Sequence, residues 1–210
     1  MSMIISYIGD MIYYILAALP IYIIIRYLMV KKKKITTTLV KETILGLFVL
    51  YLVGLLSQTL IPMWNAGINN GQFYFDIYIY KPAPINIIPF HTLYQYLYTN
   101  NTAVDGWKTA GTLNIWANLL LFSPLGVFLP LLFKKRSSLL HVLGIGLIIS
   151  FGIEFIQFFI GRRADIDDII LNLIGIFIGF ITYLLCRFII CSYRKRATAK
   201  TAMTKKEEFL

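Results

Sequence analysis

Residues 153–172 read IEFIQFFIGRRADIDDIILN. They carry Glu154, Gln157, Arg162, Arg163, Asp165, Asp167, Asp168 and Asn172, yet no Asp, Glu, Lys or Arg occurs in 139–153 or in 169–186. Apolar runs of that length read as membrane helices, which need about 20 residues to cross a hydrocarbon core. The stretch is therefore the end of one span, a short polar turn and the start of the next. That reading makes the chain all-α: a polytopic membrane helix bundle.

Working outward, five apolar segments have spanning length, near 8–30, 43–62, 113–133, 139–160 and 169–191. The second contains Ser57 and Gln58, which blurs its far end. Composition agrees: 58% of residues are hydrophobic, 14% are charged, and mean hydropathy is +0.72. Soluble domains carry roughly a quarter charged residues. With 210 residues the chain has room for one membrane domain, 1–193, and a basic then acidic tail, 194–210. No cleavable signal peptide is expected, because the first apolar segment lacks a basic leader and is followed by lysines.

The formal net charge of +10 raises the question of nucleic acid. Position answers it. Lys31–Lys34 and Lys41, then Lys134, Lys135 and Arg136, then Arg194, Lys195, Arg196, Lys200, Lys205 and Lys206 fall on one side of the spans. Only Lys81, Lys108, Arg162 and Arg163 fall on the other. The positive-inside rule puts the N-terminus outside and the C-terminus in the cytoplasm. The basic balance is a topology signal with the lipid bilayer as partner, and no nucleic acid is expected. Arg26 and Asp10, near opposite ends of span one, read as snorkelling or end-of-helix charges. Cys186 and Cys191 share one apolar segment without zinc spacing and read as lipid- or core-facing thiols.

The one long loop, 63–112, falls outside. Asn70-Gly71 followed by alternating aromatic and aliphatic residues predicts a hairpin. The segment NIIPFHTLYQYLY (86–98) suits an interfacial helix, with Tyr94, Tyr96 and Tyr98 at the headgroup boundary. Together they form an aromatic cap on the outer membrane face.

Beneath that cap the polar residues recur at helical spacing. Gly146, Ser150, Glu154 and Gln157 make one stripe; Asp165, Asp168 and Asn172 make a second, continued by Gly175 and Gly179; Asn114 and Asn118 make a third. Gly175-x-x-x-Gly179 lets another helix approach closely. Pro124 and Gly126 predict a kink in span three. An ionisable group inside lipid must face protein or a wet cavity. Arg162 or Arg163 is the expected partner of Glu154. Asn114, Asn118, Glu154, Gln157, Arg162, Asp165, Asp168 and Asn172 exceed what helix locking needs, which favours a ligand-facing site in the outer leaflet.

NLLLFSPLGVFLP (118–130), IEFIQ (153–157) and GRRADIDDIILNLIG (161–175) resemble, in order and interval, the successive motifs of the VanZ family. NIIPF (86–90) resembles a further element of that family. The family's arginine falls on Arg162, and Arg163 departs from a position that is often apolar. The resemblance implies a bacterial polytopic membrane protein. The founding member lowers susceptibility to teicoplanin and lies among vancomycin-resistance genes.

Two functional classes follow. In the first, the site binds an amphiphilic envelope ligand, a lipoglycopeptide or a lipid-linked cell-wall intermediate, with no cofactor. In the second, a membrane enzyme uses Glu154, Asp165 and Asp168 as oxygen ligands for Mg²⁺ or Mn²⁺, or as a general base on a lipid headgroup. No H-E-x-x-H, G-x-S-x-G or P-loop occurs, His91 and His141 fall on opposite sides, and no inverted repeat suggests a transporter. Binding is the leading reading.

Overall fold

The computed structural model describes residues 2–33, 37–61, 63–69, 72–78, 85–99, 106–133 and 138–207. In chain order they form α1 (Ser2–Lys33), α2 (Leu39–Leu60), β1 (Met63–Asn69), β2 (Gln72–Tyr78), α3 (His91–Tyr98), α4 (Trp107–Leu132), α5 (Leu139–Phe159) and α6 (Ile166–Glu207). Five helices contain segments long and apolar enough to cross a membrane: Met11–Lys32, Leu39–Leu60, Lys108–Leu132, Leu139–Phe159 and Ile166–Arg196. These are the five expected spans, and the chain is a multi-pass membrane protein.

Local chemistry sets the ends. Thr38 caps α2 by accepting from Lys41 N–H, and Ser138 caps α5 by accepting from His141 N–H. At the far end of α5, Gly161 takes the left-handed conformation (φ 78°) that a side chain would strain. There Gly161 N–H donates to Phe158 O and Arg162 N–H to Gln157 O, so two orphan carbonyls are satisfied. α6 does not stop where its apolar run does. At 42 residues, about 63 Å at 1.5 Å per residue, it carries the basic tail as continuous helix to Glu207.

α4 and α6 form the centre. They run parallel, Leu119 facing Gly175 and Ser123 facing Gly179. A Cβ at Gly175 would lie 2.5 Å from Leu119 O, and one at Gly179 would fall on Ser123 O. A Cβ at Gly126 would in turn meet Ile176 O and Phe180 N. Three glycines thus let two backbones touch, the packing mode that holds helices together where lipid removes any hydrophobic drive. α4 runs on as one helix through Pro124 and Pro130, and Gly126 serves the α6 contact. Pro124 has no N–H for Leu120 O; the Ser123 hydroxyl donates to it instead at 3.1 Å.

Leu55 of α2, Phe122, Leu125 and Leu129 of α4, Val142 and Ile153 of α5, and Ile176 and Phe180 of α6 make the buried core. α1 stands outside it and packs on α2. Arg26 of α1 does not snorkel: it makes a two-pronged ion pair with Glu42 of α2, at 2.6 and 2.7 Å. The side chain of Asp10 lies outside the described residues. β1 and β2 pair antiparallel with Asn69 opposite Gln72, the expected hairpin. The Asn70-Gly71 turn itself lies outside the described residues.

Candidate functional site

The hairpin, α3, the N-terminal ends of α4 and α6 and the C-terminal ends of α2 and α5 share one end of the bundle, here the loop end. The polar residues meet there. Asn86 lies beside 164–166 as a one-residue parallel bridge: its N–H donates to Ala164 O and its carbonyl accepts from Ile166 N–H, both at 3.0 Å. Its carboxamide donates to Asp165 at 2.8 Å and to Thr92 Oγ1 at 3.0 Å, while the Thr92 hydroxyl donates to Asp165. Asp165 N–H donates to Glu154 Oε2 at 2.9 Å, and Asp167 N–H to Asp165 Oδ1 at 3.0 Å. Asp165 therefore starts α6 and ties it to α5 and to the loop. It is 4% exposed, so each of these bonds acts in a medium where an unmade one is costly.

The two arginines do other work than expected. Arg162 makes no ion pair with Glu154; its Nη1 donates to Gln58 O and Thr59 O, each at 3.1 Å. Gln157 Nε2 donates to the same Thr59 O at 3.0 Å. The physical reason lies in α2, whose last carbonyls are orphaned and carry the negative end of the helix dipole, an attractive seat for a cation. Arg163 stands 3.8 Å from Asp165. Deeper in, Asn172 Nδ2 donates to Ser150 Oγ at 2.8 Å, and Asn172 Oδ1 has no hydrogen-bond partner among the described residues.

Asp168, Asn114 and Asn118 make a separate unit between α4 and α6. Asp168 Oδ1 accepts from Asn118 Nδ2 at 2.7 Å and from Asn114 Nδ2 at 3.2 Å. All three residues are half-buried. Among the described residues, Asp168 Oδ2 and both carboxamide oxygens have no hydrogen-bond partner. Tyr96 of α3 packs on Gly111 beside them. Its phenol is pushed up from the usual value, by burial first and then by the Asp168 and Asp165 carboxylates. Tyr94 and Tyr98 of the same helix are exposed, 60% and 75%.

All eight expected site residues thus lie at one end. Five of them, Glu154, Gln157, Arg162, Asp165 and Asn172, are engaged with other parts of the chain. Sequence reasoning missed Asn86, Thr92 and Asp167. Asp167 accepts from the N–H groups of Phe90, Thr92 and Leu93, the last two at 2.8 and 3.1 Å. A signal existed: α3 begins after Phe90, which offers no capping side chain, so its first N–H groups needed an acceptor from elsewhere. Among the described residues no group of three His, Cys, Asp or Glu is arranged to hold a metal ion.

A family model described as VanZ/LLP1 matches residues 48–187, two thirds of the chain. Neither the curated proteins nor the solved structures contain a significant match. The matched span runs from the middle of α2 into α6 and encloses the whole polar assembly, from Gln58 to Asn172. The chain belongs to the VanZ/LLP1 family.

Proposed function

We propose that the loop end faces outward from a bacterial cell membrane and that Asn114, Asn118 and Asp168 there bind an amphiphilic envelope ligand. The chemical class is one with amine or hydroxyl donors and an acyl chain, such as a lipoglycopeptide or a lipid-linked cell-wall intermediate. One observation carries this reading: three acceptor oxygens of the trio lack partners among the described residues, while one N–H of each carboxamide is already given to Asp168. Donor-rich ligands match such a site. Glu154, Gln157, Arg162, Asp165 and Asn172 hold the surrounding helix ends in place, and the exposed Tyr94 and Tyr98 meet the ligand's apolar part.

Expression in a sensitive Gram-positive host should raise the inhibitory concentration of teicoplanin more than that of vancomycin, because the acyl chain supplies a second handle. Asp168→Asn and Asn118→Ala should abolish that protection. Both sites are half-buried, so folded protein in the membrane should be little changed; the helix-end charge of Asp168 is worth about 0.3–1 kcal/mol. Asp168→Asn with normal folding and full protection would end the ligand-facing reading.

Orientation is tested separately. Cysteines introduced at Asn70 and Arg163 should react with an impermeant reagent in intact cells, and one at Lys33 should not. The opposite labelling pattern removes the outer-leaflet site.

A further inference from the structure

At the other end of the bundle the seam between α4 and α6 opens. Past Gly179 the facing positions carry Val127, Pro130 and Tyr183 instead of glycine, and a cavity of about 750 Å³ lies between the helices. Along α6 its wall includes Tyr183, Cys186, Arg187, Ile190, Cys191 and Arg194. That three-and-four spacing is a single helix face. Arg187 and Arg194 stand two turns apart on it, about 10 Å at 1.5 Å per residue.

Those two charges are uncompensated. No acidic residue occurs between Asp168 and Glu207. Among the described residues neither arginine makes an ion pair or a side-chain hydrogen bond. Arg187 lies within the apolar span Ile166–Arg196, where a lone cation is costly. The rest of the wall is aliphatic, aromatic or thiol apart from Thr182, whose hydroxyl donates to Ile178 O at 3.0 Å, and in a membrane the material available to fill it is lipid. Guanidinium groups bind phosphate oxygens in a two-pronged fork. Basic pockets between membrane helices are suited to anionic headgroups.

We propose that this cavity is a site for one anionic phospholipid, its phosphodiester held between Arg187 and Arg194 and one acyl chain lying against Val127 and Tyr183. It lies at the opposite end from the Asn114–Asp168–Asn118 trio and does not rest on what that trio binds.

The test uses the full chain purified in a non-ionic detergent, with phosphatidylglycerol or phosphatidylcholine added and bound lipid read by native mass spectrometry. Phosphatidylglycerol should bind about 25-fold more tightly, about fivefold for each arginine attracted to an anionic lipid. Arg187→Gln and Arg194→Gln should each remove about fivefold. Lys195→Gln, on the neighbouring face, should change nothing. A phosphatidylglycerol with a photoreactive acyl chain should crosslink to peptides holding Val127–Leu131 and Tyr183–Cys186. Equal binding of the two lipids overturns the proposal. So does an equal loss with Lys195→Gln, which would mean diffuse charge attraction. Crosslinks elsewhere, or a dimer that excludes lipid, overturn it as well.

Discussion

Alanine at Gly179 is expected to lower the yield of folded protein from the membrane severalfold and its melting temperature by many degrees. The added Cβ would fall on Ser123 O, a backbone atom that no rotamer change can move aside. α4 and α6 must separate along the whole seam, which also loosens the contacts at Gly126 and Gly175. Overpacking a well-packed core costs about 1–3 kcal/mol, and a backbone clash belongs at or above the top of that range. Lipid supplies no hydrophobic pressure to push the helices back together. Gly144→Ala is the control: nothing lies within 4 Å of its Cβ, and alanine favours helix by about 1 kcal/mol over glycine. Thermal melts of both variants in one detergent decide the matter. If Gly179→Ala melts with the parent, the glycine seam is not what holds α4 to α6.

Asp167→Ala should release α3 while leaving the spans assembled. The carboxylate accepts from Phe90, Thr92 and Leu93 N–H, and Thr92 is 3% exposed. Its loss strands these donors at a helix N-terminus that has no side-chain cap of its own. Each buried unpaired donor costs about 1–3 kcal/mol, so the segment 86–98 should detach before it tolerates them. Limited proteolysis should then cut near residues 86–98, where the parent resists. Asp167→Asn, which keeps an acceptor oxygen but loses the charge, should fall between the two. Protection equal to the parent in Asp167→Ala would mean that α3 is held by its apolar face alone.

The spans and hairpin were legible because each depends on local pattern. Apolar length, a capping Thr38 or Ser138, and alternation after Asn70-Gly71 are all properties of neighbours in sequence. The meeting of eight polar residues at one end was also legible, since alternating span directions bring the ends of α2 and α5 to the starts of α4 and α6. Partner choice was not. A reading along the chain pairs Glu154 with Arg162 or Arg163 because they are the nearest opposite charges. In the fold the turn at Gly161 delivers Arg162 to the carbonyls of Gln58 and Thr59, about a hundred residues away, while Glu154 takes Asp165 N–H. Asp167 shows the same limit. It lies off the Asp165–Asp168–Asn172 stripe, and its work is visible only once Phe90, Thr92 and Leu93 stand over it.

By itself, then, the amino-acid sequence determined which segments enter the membrane, which ends they share and which residues are too polar to face lipid. The cause is that transfer of a segment into hydrocarbon sums over its own residues and needs no partner. Tertiary structure alone decided that Gly126, Gly175 and Gly179 join α4 to α6, and that Asp165 and Asp167 are spent on Asn86, Thr92 and the start of α3. It also decided that Asp168 keeps an oxygen to spare beside Asn114 and Asn118. A hydrogen bond is settled within about 3 Å and at a narrow angle, and only the packed chain brings residues from 58 to 172 within that reach.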